Sequence, residues 1–453
     1  MKPTWSKNFS RRDFLATASA ATAFSFTFLP SRVWGANERL RFAGIGVGGK
    51  GSSDIDQAST LGDVVALCDC DDNSINEKLK KWPSAKKFND FRQMFDKMGK
   101  DIDAVTISTP DHTHAIAAAH AITRKMHVYV QKPLTHDVWE ARYLRTLARK
   151  YKVATQMGNQ GSAANGLRRG VEAIQAGVIG TVTEAHVWTN RPVWPQSPAI
   201  KARPTEVMPV PANVHWDEFI GTAPMRPYNK AYHPFNWRGW WDYGTGAIGD
   251  MACHTANLAF RALNLTSPTL VEAQNEALNP ETYPGWASVV YHFPAVGSRP
   301  AVKLFWYEGK LPNGEKNLPP KELFHGQTPP GSGSLLVGNK GVMYSPNDYG
   351  AQWVLLPEKN FENWQDPAPR LPRNGRDDVG MKEEWVAAIK GGPAAYSNFD
   401  FAADMTEAIL LGNVAMLAGG RIGWDSKRLK VTDNKAAQKF IKREYRKGWK
   451  MPS

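Results

Sequence analysis

The sequence predicts an α/β fold, with a doubly wound parallel sheet in the N-terminal part and a second domain of strands and helices after it. A glycine-rich G-x-G-x-x-G motif from Gly44 to Gly49 stands between an apolar strand and the start of a helix. Four later apolar runs each end at polar residues, as parallel strands do where their carboxyl ends line a ligand crevice. The roughly 417 residues that follow Ala36 also exceed the size of one ordinary core, which favours two domains.

The N-terminus has the pattern of an export signal. The pair Arg11-Arg12 precedes an apolar and small run from Leu15 to Leu29. This run of about 15 residues is shorter than the roughly 20 that cross a bilayer as a helix, and small residues before Ala36 offer a cleavage point. We predict a twin-arginine signal peptide over residues 1-36, a periplasmic or otherwise exported location, and no integral membrane span after cleavage. An uncleaved N-terminal anchor is the alternative.

Composition limits the classes of partner. The chain has a formal net charge of +13 and 3 cysteines. Basic residues do not alternate with aromatic ones except in the stretch from Lys442 to Lys447, which is typical of a solvated helix end, so we expect no nucleic-acid partner. Cys68 and Cys70 would share one face of one strand and have no second cluster, which predicts neither a disulfide nor a metal site.

The glycine motif predicts a dinucleotide-binding Rossmann domain over residues 37-160. Gly44 permits the tight turn, Gly46 lets the backbone approach a pyrophosphate, and Gly49 allows the helix to pack closely on the strand. Free backbone amides at the helix start attract the negative charge of the pyrophosphate. Ile45 lies within this turn and is also predicted to contact the cofactor.

The next predicted strand ends in an acidic residue, Asp69. It lies about 20 residues past the third glycine, where a carboxylate binds the hydroxyls of the adenosine ribose. No arginine follows within a few residues to meet a 2′-phosphate. The predicted cofactor is therefore NAD, with NADP as the less favoured alternative.

Three further strands bring polar residues to the same edge of the sheet. The strand from Ala104 ends in Ser-Thr-Pro-Asp-His-Thr-His, the strand from His127 ends in Gln-Lys-Pro, and the strand from Lys152 leads into Gly-Asn-Gln. A lysine at the mouth of a buried strand is well placed for catalysis. The predicted cofactor contacts at this edge are Ser108, Thr109, Pro110, His112, His114, Gln131, Lys132 and Gln160.

A later segment carries an Asp-x-x-x-His pair. The stretch from Gly244 opens with glycines and continues as a helix, so Asp250 and His254 share one face, one turn apart. Histidine can take and return a proton near neutrality, because its ordinary pKa is about 6.5. The pair, with Lys132, is predicted to act in catalysis; the alternative is an ordinary helical aspartate beside a hydrogen-bonded histidine.

The middle of the chain is rich in tryptophan. The stretch from Val193 to Trp241 shows little periodicity, and we predict a long insertion packed over the mouth of the active site. Aromatic faces bind sugar rings, although large apolar residues also pack beneath long loops. The predicted substrate contacts in this region, with loop packing as the alternative, are Arg191, Trp194, Arg238, Trp240 and Tyr243.

These motifs resemble the glucose-fructose oxidoreductase and inositol dehydrogenase family, Gfo/Idh/MocA, over essentially the whole mature chain. The family usually has Glu-Lys-Pro where this chain has Gln131-Lys132-Pro133. Glutamine can still hydrogen-bond a nicotinamide ribose, but it carries no charge. The matching residues are Gly44, Gly46, Gly49, Asp69, Thr109 to His114, Lys132-Pro133, Asp250 and His254.

The resemblance implies a fold and a reaction for the rest of the chain. It implies that residues 161-453 form an α+β domain for substrate binding and oligomerisation, with an open, mostly antiparallel sheet and a dimer or tetramer. A late predicted helix, Phe401 to Leu417, would pack back against the first domain. The implied reaction is NAD-dependent oxidation of a secondary hydroxyl of a sugar or glycoside. In that reaction His254 removes the hydroxyl proton, while Lys132 hydrogen-bonds the substrate oxygen.

Asp250 would orient the substrate or the histidine, and both Asp250 and His254 would contact the substrate. Outside the cytoplasm the cofactor would have to be held tightly. Two alternatives stay open. One is a glycosidase that uses NAD transiently, which the Lys132-Pro133 pair disfavours; the other is a non-catalytic sugar-binding protein, which the intact Lys132, Asp250 and His254 disfavour.

Overall fold

The computed structural model describes residues 39–452. The predicted signal peptide, residues 1-36, lies outside the described residues. Within residues 39–452, no helix is both long and apolar enough to cross a membrane.

A six-stranded parallel sheet forms the N-terminal part. Its strands are β1 (Leu40–Ile45), β2 (Gly62–Cys68), β3 (Lys86–Phe88), β4 (Ala104–Ile107), β5 (His127–Val130) and β6 (Thr155–Met157). They are arranged in the order β3-β2-β1-β4-β5-β6, and every pair is parallel. The order reverses between β1 and β4, and a ligand crevice opens outside the carboxyl ends of the strands at such a point.

Helices connect these strands and cover both faces of the sheet. They are α1 (Gly49–Ala58), α2 (Asp72–Leu79), α3 (Phe91–Met98), α4 (Asp111–Thr123) and α5 (Val138–Tyr151). All four residues of β4 are buried, which is typical of a parallel strand covered on both faces. The alanines of α4 are small enough to let that helix lie buried between the sheet and its neighbours, α3 and α5.

A second, nine-stranded sheet follows. Its strands are β7 (Val182–Thr189), β8 (Leu270–Asn275), β9 (Trp286–Phe293), β10 (Val302–Gly309), β11 (Gly333–Gly338), β12 (Gly341–Ser345), β13 (Val354–Leu356), β14 (Arg421–Asp425) and β15 (Lys430–Val431). Their order is β13-β12-β11-β7-β10-β9-β8-β14-β15, and only β7 and β10 pair in parallel. Strand β9 alternates buried and half-buried residues, because one face of the sheet packs on the core.

The remaining helices pack on both sheets. They are α6 (Asn165–Gln175), α7 (Trp216–Ile220), α8 (Gly246–Thr255), α9 (Asn257–Ala262), α10 (Asp377–Ile389) and α11 (Phe399–Leu417). The fold prediction is confirmed: a parallel Rossmann sheet is followed by a domain with a mixed, mostly antiparallel sheet.

The last two long helices lie against elements of the first sheet. Helix α11 packs on α5, where Arg142 Nη2 lies 2.7 Å from Glu407 Oε2. It begins two residues earlier than the sequence predicts, because the Asn398 side chain accepts a hydrogen bond from the Asp400 amide. Helix α10, which no sequence pattern indicates, packs in one hydrophobic cluster with Phe42 and Tyr129 of the first sheet.

The tryptophan-rich stretch between β7 and α8 is largely irregular. Its aromatic side chains form their own hydrophobic cluster, which includes Trp216, Phe219 and Tyr232. The backbone of this stretch also joins the first sheet's loops, since the His215 amide donates to the Cys70 carbonyl at 2.7 Å. The stretch therefore covers the crevice as a packed layer with its own core.

Candidate active site

The crevice at the carboxyl ends of β1, β2, β4 and β5 opens into a cavity of about 750 Å³. The tryptophan-rich stretch closes one side of it, and Asp348 and Tyr349 from the second sheet's loops close another. The cavity wall brings together most of the predicted site residues: Ile45, Gly46, Gly49, Asp69, Ser108, Thr109, Pro110, Gln131, Lys132, Gln160, Arg191, Trp194, Arg238, Asp250 and His254.

Two predicted cofactor contacts, His112 and His114, lie behind the wall. The ring of His114 lies between two backbone carbonyls, with Nδ1 2.8 Å from Pro133 O and Nε2 2.8 Å from Thr109 O. In His112, the ring atom Nε2 lies 2.8 Å from Phe219 O. Both histidines are buried and tie together the loops that form the wall. They therefore support the site without facing it.

Two predicted substrate contacts are also placed away from the cavity. Trp240 and Tyr243 are 2% and 0% exposed and belong to the core of the tryptophan-rich stretch. The Trp240 indole donates to Ala231 O at 2.9 Å. These two residues therefore follow the loop-packing alternative, because the stretch is long enough to need a hydrophobic core of its own.

The glycines of the loop have partly different roles from those predicted from the sequence. Gly46 has a φ of +73°, and a Cβ there would lie 2.7 Å from the Ser108 carbonyl group. Gly49 has a φ of +48° and opens α1 with no neighbour near its would-be Cβ. A Cβ on Gly51, in contrast, would lie 1.9 Å from Gly46 O. The close helix-to-strand packing predicted for Gly49 is thus provided by Gly51.

Gly44 does not reach the wall either. A Cβ at this position would lie 2.7 Å from the Val47 side chain, so Gly44 makes room for the turn from beneath. The helix start exposes Gly48 and Gly49 to the cavity. Backbone amides at such a position favour an anionic ligand.

Asp69 is bound to the glycine loop through its carboxylate. Its Oδ2 accepts hydrogen bonds from the amides of Val47 at 2.7 Å and Gly48 at 3.2 Å, and its Oδ1 accepts from the Asp71 amide at 2.9 Å. Burial raises the pKa of Asp69 above its ordinary value, although these three amides oppose the shift. The carboxylate keeps lone pairs that can accept further hydrogen bonds.

Lys132 and Asp250 meet directly at the cavity. Lys132 Nζ donates to Asp250 Oδ1 at 2.7 Å and to Asp250 O at 2.9 Å. Arg238 Nε and Arg191 Nε lie 3.7 and 3.9 Å from the same carboxylate. Burial opposes ionisation, yet Lys132 and Arg238 together hold the pKa of Asp250 below its ordinary value. Asp250 is therefore the anion to which the cations of this wall are directed.

His254 lies in the last turn of α8 and is 5% exposed. Its Nδ1 is buried and has no hydrogen-bond partner among residues 39–452. Burial, and then the charge of Lys132, lower the pKa of His254 to about 3, while Asp250 opposes the shift. Burial therefore favours the neutral form of the His254 ring, in which one ring nitrogen can accept a proton.

The Gln131 side chain hydrogen-bonds to Asp54 and to the Lys132 backbone, whereas the Lys132 ammonium group binds Asp250. Gln131 Nε2 donates to Asp54 Oδ2 at 2.8 Å, and its Oε1 accepts from the Lys132 amide at 3.3 Å. Asp54 is fully buried and also accepts from Lys382 at 2.7 Å and Lys50 at 3.0 Å. Asp378 pairs with the same two lysines at 2.8 and 2.6 Å. We call Lys50, Asp54, Asp378 and Lys382 the lysine–aspartate cluster.

Several wall residues were not predicted from the sequence. Lys50 follows the glycine motif directly, so its position beside the motif could have indicated it. Tyr349 stacks edge-on against His254 with ring centroids 5.0 Å apart, but it lies almost a hundred residues further along the chain with no motif around it. The other missed wall residues include Val193, His233, Phe235, Trp237 and Asp348.

Two family models match the sequence. The model described as oxidoreductase family, NAD-binding Rossmann fold, matches residues 40–159, and the model described as oxidoreductase family, C-terminal alpha/beta domain, matches residues 180–299. Both are Gfo/Idh/MocA models, and together they cover more than half of the chain. A comparison with curated proteins finds no match.

Solved structures share the fold at low identity. The WlbA dehydrogenase of Bordetella pertussis, in complex with NADH and UDP-GlcNAcA, is 15% identical with a TM-score of 0.59, covering 86% of this chain and 99% of its own. An inositol dehydrogenase homologue of Azotobacter vinelandii, complexed with NADH and myo-inositol, is 14% identical with a TM-score of 0.54, covering 86% and 98%. The aldose-aldose oxidoreductase of Caulobacter crescentus is 12% identical with a TM-score of 0.55, covering 85% and 100%.

The first family model spans the glycine loop, Asp69 and Lys132, and the second spans Asp250 and His254. Most residues of the cavity wall thus come from the two matched regions, whereas Gln160, Asp348, Tyr349 and Trp449 lie outside them, and the resemblance found in the sequence is confirmed. The chain belongs to the Gfo/Idh/MocA oxidoreductase family, and its N-terminal sheet is part of an NAD(P)-binding Rossmann domain.

Proposed function

We propose that this protein oxidises a secondary hydroxyl of a sugar or glycoside, using a tightly held NAD. One observation carries the proposal: Lys132, Asp250 and His254 converge on the cavity into which the glycine loop and Asp69 also open. Relatives with this fold were crystallised with NADH and a sugar nucleotide or an inositol, which supports a polyhydroxylated substrate.

The residues of the wall fit a dinucleotide. Gly46, Gly48 and Gly49 line the cavity at the start of α1, and Asp69 lines it beside them. A Cβ on Gly46 would meet the Ser108 backbone, so glycine lets the loop lie close to the end of β4. Next to Asp69 the wall carries Asp71, whose charge would repel a 2′-phosphate and so favours NAD over NADP. When bound, NAD would accept the hydride from the substrate carbon.

The chain's own side chains would handle the proton. His254 lines the cavity and burial favours its neutral form, so a ring nitrogen can accept the hydroxyl proton of a substrate. Lys132 would donate a hydrogen bond to the substrate oxygen, which stabilises negative charge as the proton leaves. Asp250 holds Lys132 in place at 2.7 Å and favours the protonated form of His254.

Variants of the two proton-handling residues test the proposal. Lys132→Met and His254→Ala should retain bound dinucleotide but lose about 10²- to 10⁴-fold in the rate of nicotinamide reduction by a sugar that the wild type oxidises. Lys97→Met, at an exposed site on α3, is the matched control and should turn over normally. Near-normal turnover by both active-site variants would contradict the proposal.

The same assay separates the alternatives. A glycosidase with transient oxidation would release free sugar from a glycoside without any electron acceptor. A non-catalytic binding protein would release no product and show no nicotinamide reduction. The Lys132–Asp250 pair and the buried His254 support the oxidoreductase over both alternatives.

We further propose export through the twin-arginine route and assembly as a homo-oligomer. The export proposal rests on Arg11-Arg12 and the apolar run that follows. Replacing both arginines by lysine should leave the folded protein in the cytoplasm, as fractionation would show. Sedimentation of the purified mature chain would test the dimer or tetramer.

A further inference from the structure

The cavity wall beside Asp250 gathers three cations around one carboxylate. Lys132 Nζ makes the 2.7 Å contact, while Arg238 Nε and Arg191 Nε approach only to 3.7 and 3.9 Å. The side chains of Arg191 and Arg238 are 27% and 26% exposed, so both are mostly buried. One carboxylate therefore faces three cations, and neither arginine makes a hydrogen bond to it within residues 39–452.

Most N–H groups of the two arginines are unused. A guanidinium carries five N–H donors. In the part of the chain that the structure describes, the Arg191 side chain donates one hydrogen bond, to Asn190 Oδ1 at 2.5 Å, and the Arg238 side chain donates one, to Phe235 O at 3.4 Å. Both arginines line the cavity together with Asp250.

Aromatic stacking holds Arg238 in this position. Its guanidinium carbon lies 4.3 Å from the ring centroid of Trp237 and 4.7 Å from that of Phe235. Such stacking leaves the edge of the guanidinium plane free for a bidentate contact with a carboxylate or phosphate. A planar donor group fixed before the ligand arrives lowers the entropy cost of binding.

Other acidic residues of the wall do not neutralise these arginines. Asp111 Oδ2 accepts from the Thr245 amide at 3.0 Å and from Thr245 Oγ1 at 2.6 Å. Asp348 lines the cavity but makes no ion pair with either arginine within residues 39–452. The arginines therefore face the cavity as available anion-binding groups.

We propose that the sugar bound here carries an anionic substituent, a carboxylate or a phosphate, which Arg191 and Arg238 bind together. The inference rests on the proposed function, because it places the sugar ring beside Lys132 and His254. It adds a substrate class to that function: acidic sugars in preference to neutral ones. Arg191 and Arg238 would then determine specificity and leave the proton transfer to the other residues.

Binding measurements test this on the dinucleotide-loaded protein. Hexuronates, the 6-phosphates of the same hexoses and the neutral hexoses are compared by titration calorimetry. For a given hexose, the uronate or the 6-phosphate should bind about 10- to 100-fold more tightly than the neutral sugar. This is the range expected for hydrogen bonds to a charged group. Whichever of the uronate and the 6-phosphate binds more tightly identifies the anion as a carboxylate or a phosphate.

Charge-removing variants locate the preference. Arg191→Gln and Arg238→Gln should each reduce the preference for acidic over neutral sugars, and the double variant should abolish this preference. Bound dinucleotide should stay at the wild-type level in all three variants. Arg428→Gln, at a side chain 80% exposed, removes the same charge elsewhere and should keep the preference. Equal binding of acidic and neutral sugars, no binding of any acidic sugar, or loss of dinucleotide from the arginine variants would overturn the proposal.

Turnover measurements keep the two proposals apart. If acidic sugars bind with the expected preference but never reduce the nicotinamide, the proposed oxidation fails and the anion site stands. If neutral sugars are oxidised and acidic ones are not bound, the oxidation stands and the anion site fails.

Discussion

At the scale of single residues, His254 shows how burial changes a functional group. Its ring has an ordinary pKa of about 6.5 in an unfolded chain. Burial and Lys132 lower the pKa of His254 to about 3 in the folded protein. Between these values the unfolded chain binds a proton that the folded protein does not. Stability due to this residue is therefore complete above pH 6.5 and is lost as the pH falls toward 3.

His254→Asn should weaken this pH dependence. Below about pH 6 the wild type should lose up to about 1.4 kcal/mol of unfolding free energy per pH unit more than the variant, which corresponds to one proton. Denaturant unfolding of both proteins from pH 7 to pH 4.5 measures the difference. Because other buried histidines are common to both proteins, their contributions cancel. Parallel curves would show that His254 titrates alike in the folded and unfolded chains.

Asp69 combines a local role with the predicted cofactor role. Asp69→Ala should weaken binding of NAD by about 1 to 3 kcal/mol, through loss of charge-assisted hydrogen bonds to the ribose. It should also lower the thermal midpoint, because the amides of Val47 and Gly48 lose their acceptor. Asp63→Ala, at an exposed position of β2, is the control. Unchanged affinity for the cofactor would mean that Asp71 or Asp72 holds the ribose, or that the cofactor is NADP.

At the scale of elements, the lysine–aspartate cluster explains the residue at position 131. The cluster joins α1 to α10 and balances two lysines with two aspartates. The Gln131 amide donates into it at Asp54 Oδ2. A glutamate, which the family usually has here, would place a second carboxylate against the buried Asp54. The neutral side chain of Gln131 therefore avoids charge repulsion with the buried Asp54 carboxylate and donates a hydrogen bond to it.

Gln131→Glu should destabilise the protein by about 1 to 3 kcal/mol at pH 7, since it removes a buried donor and adds an unpaired charge. Asp54→Asn combined with Gln131→Glu should restore part of this loss, because one carboxylate again remains. Gln175→Glu adds the same charge at an exposed position of α6 and is the control. Unfolding free energies of the wild type, of Asp54→Asn and Gln131→Glu alone, and of the double variant give the coupling energy. Additive effects would show that positions 54 and 131 do not interact.

At the scale of the whole molecule, the sequence predicts what local patterns encode. The parallel sheet, the glycine loop, and the placing of Lys132, Asp250 and His254 on the cavity follow from motifs within single segments. Polar residues after a strand can face either a crevice or a neighbouring loop, which is why His112 and His114 were assigned to the cofactor. Composition likewise does not distinguish Trp194 on the wall from Trp240 in the core of the loop stretch.

The contacts between distant segments could not be predicted from the sequence. Helix α10 has no strong amphipathic pattern, because its buried residues include Lys382 as well as Trp385 and Met381. Lys382 is fully buried only because Asp54 and Asp378 pair with it there. No signal near residue 382 indicates a partner more than 300 residues earlier.

This long-range packing predicts that the first sheet does not fold alone. A fragment of residues 37-160 would expose the surfaces of Phe42 and Tyr129 that Trp385 covers, with ring centroids 5.7 and 5.8 Å away. It would also leave Asp54 without Lys382. We expect no cooperative thermal transition and no NAD binding by the fragment.

In the full chain, Trp385→Ala should lower the free energy of unfolding by about 3 to 5 kcal/mol, the usual loss for a fully buried aromatic side chain. It should also weaken NAD binding. Circular dichroism and calorimetry with NAD measure both quantities, and Trp364→Ala, at a partly exposed site, is the control. A fragment of residues 37-160 that melts cooperatively and binds NAD would show that α10 only covers a sheet already stable without it. Loss of both properties in the fragment would instead mean that the chain must be synthesised to its C-terminal helices before the cofactor can bind.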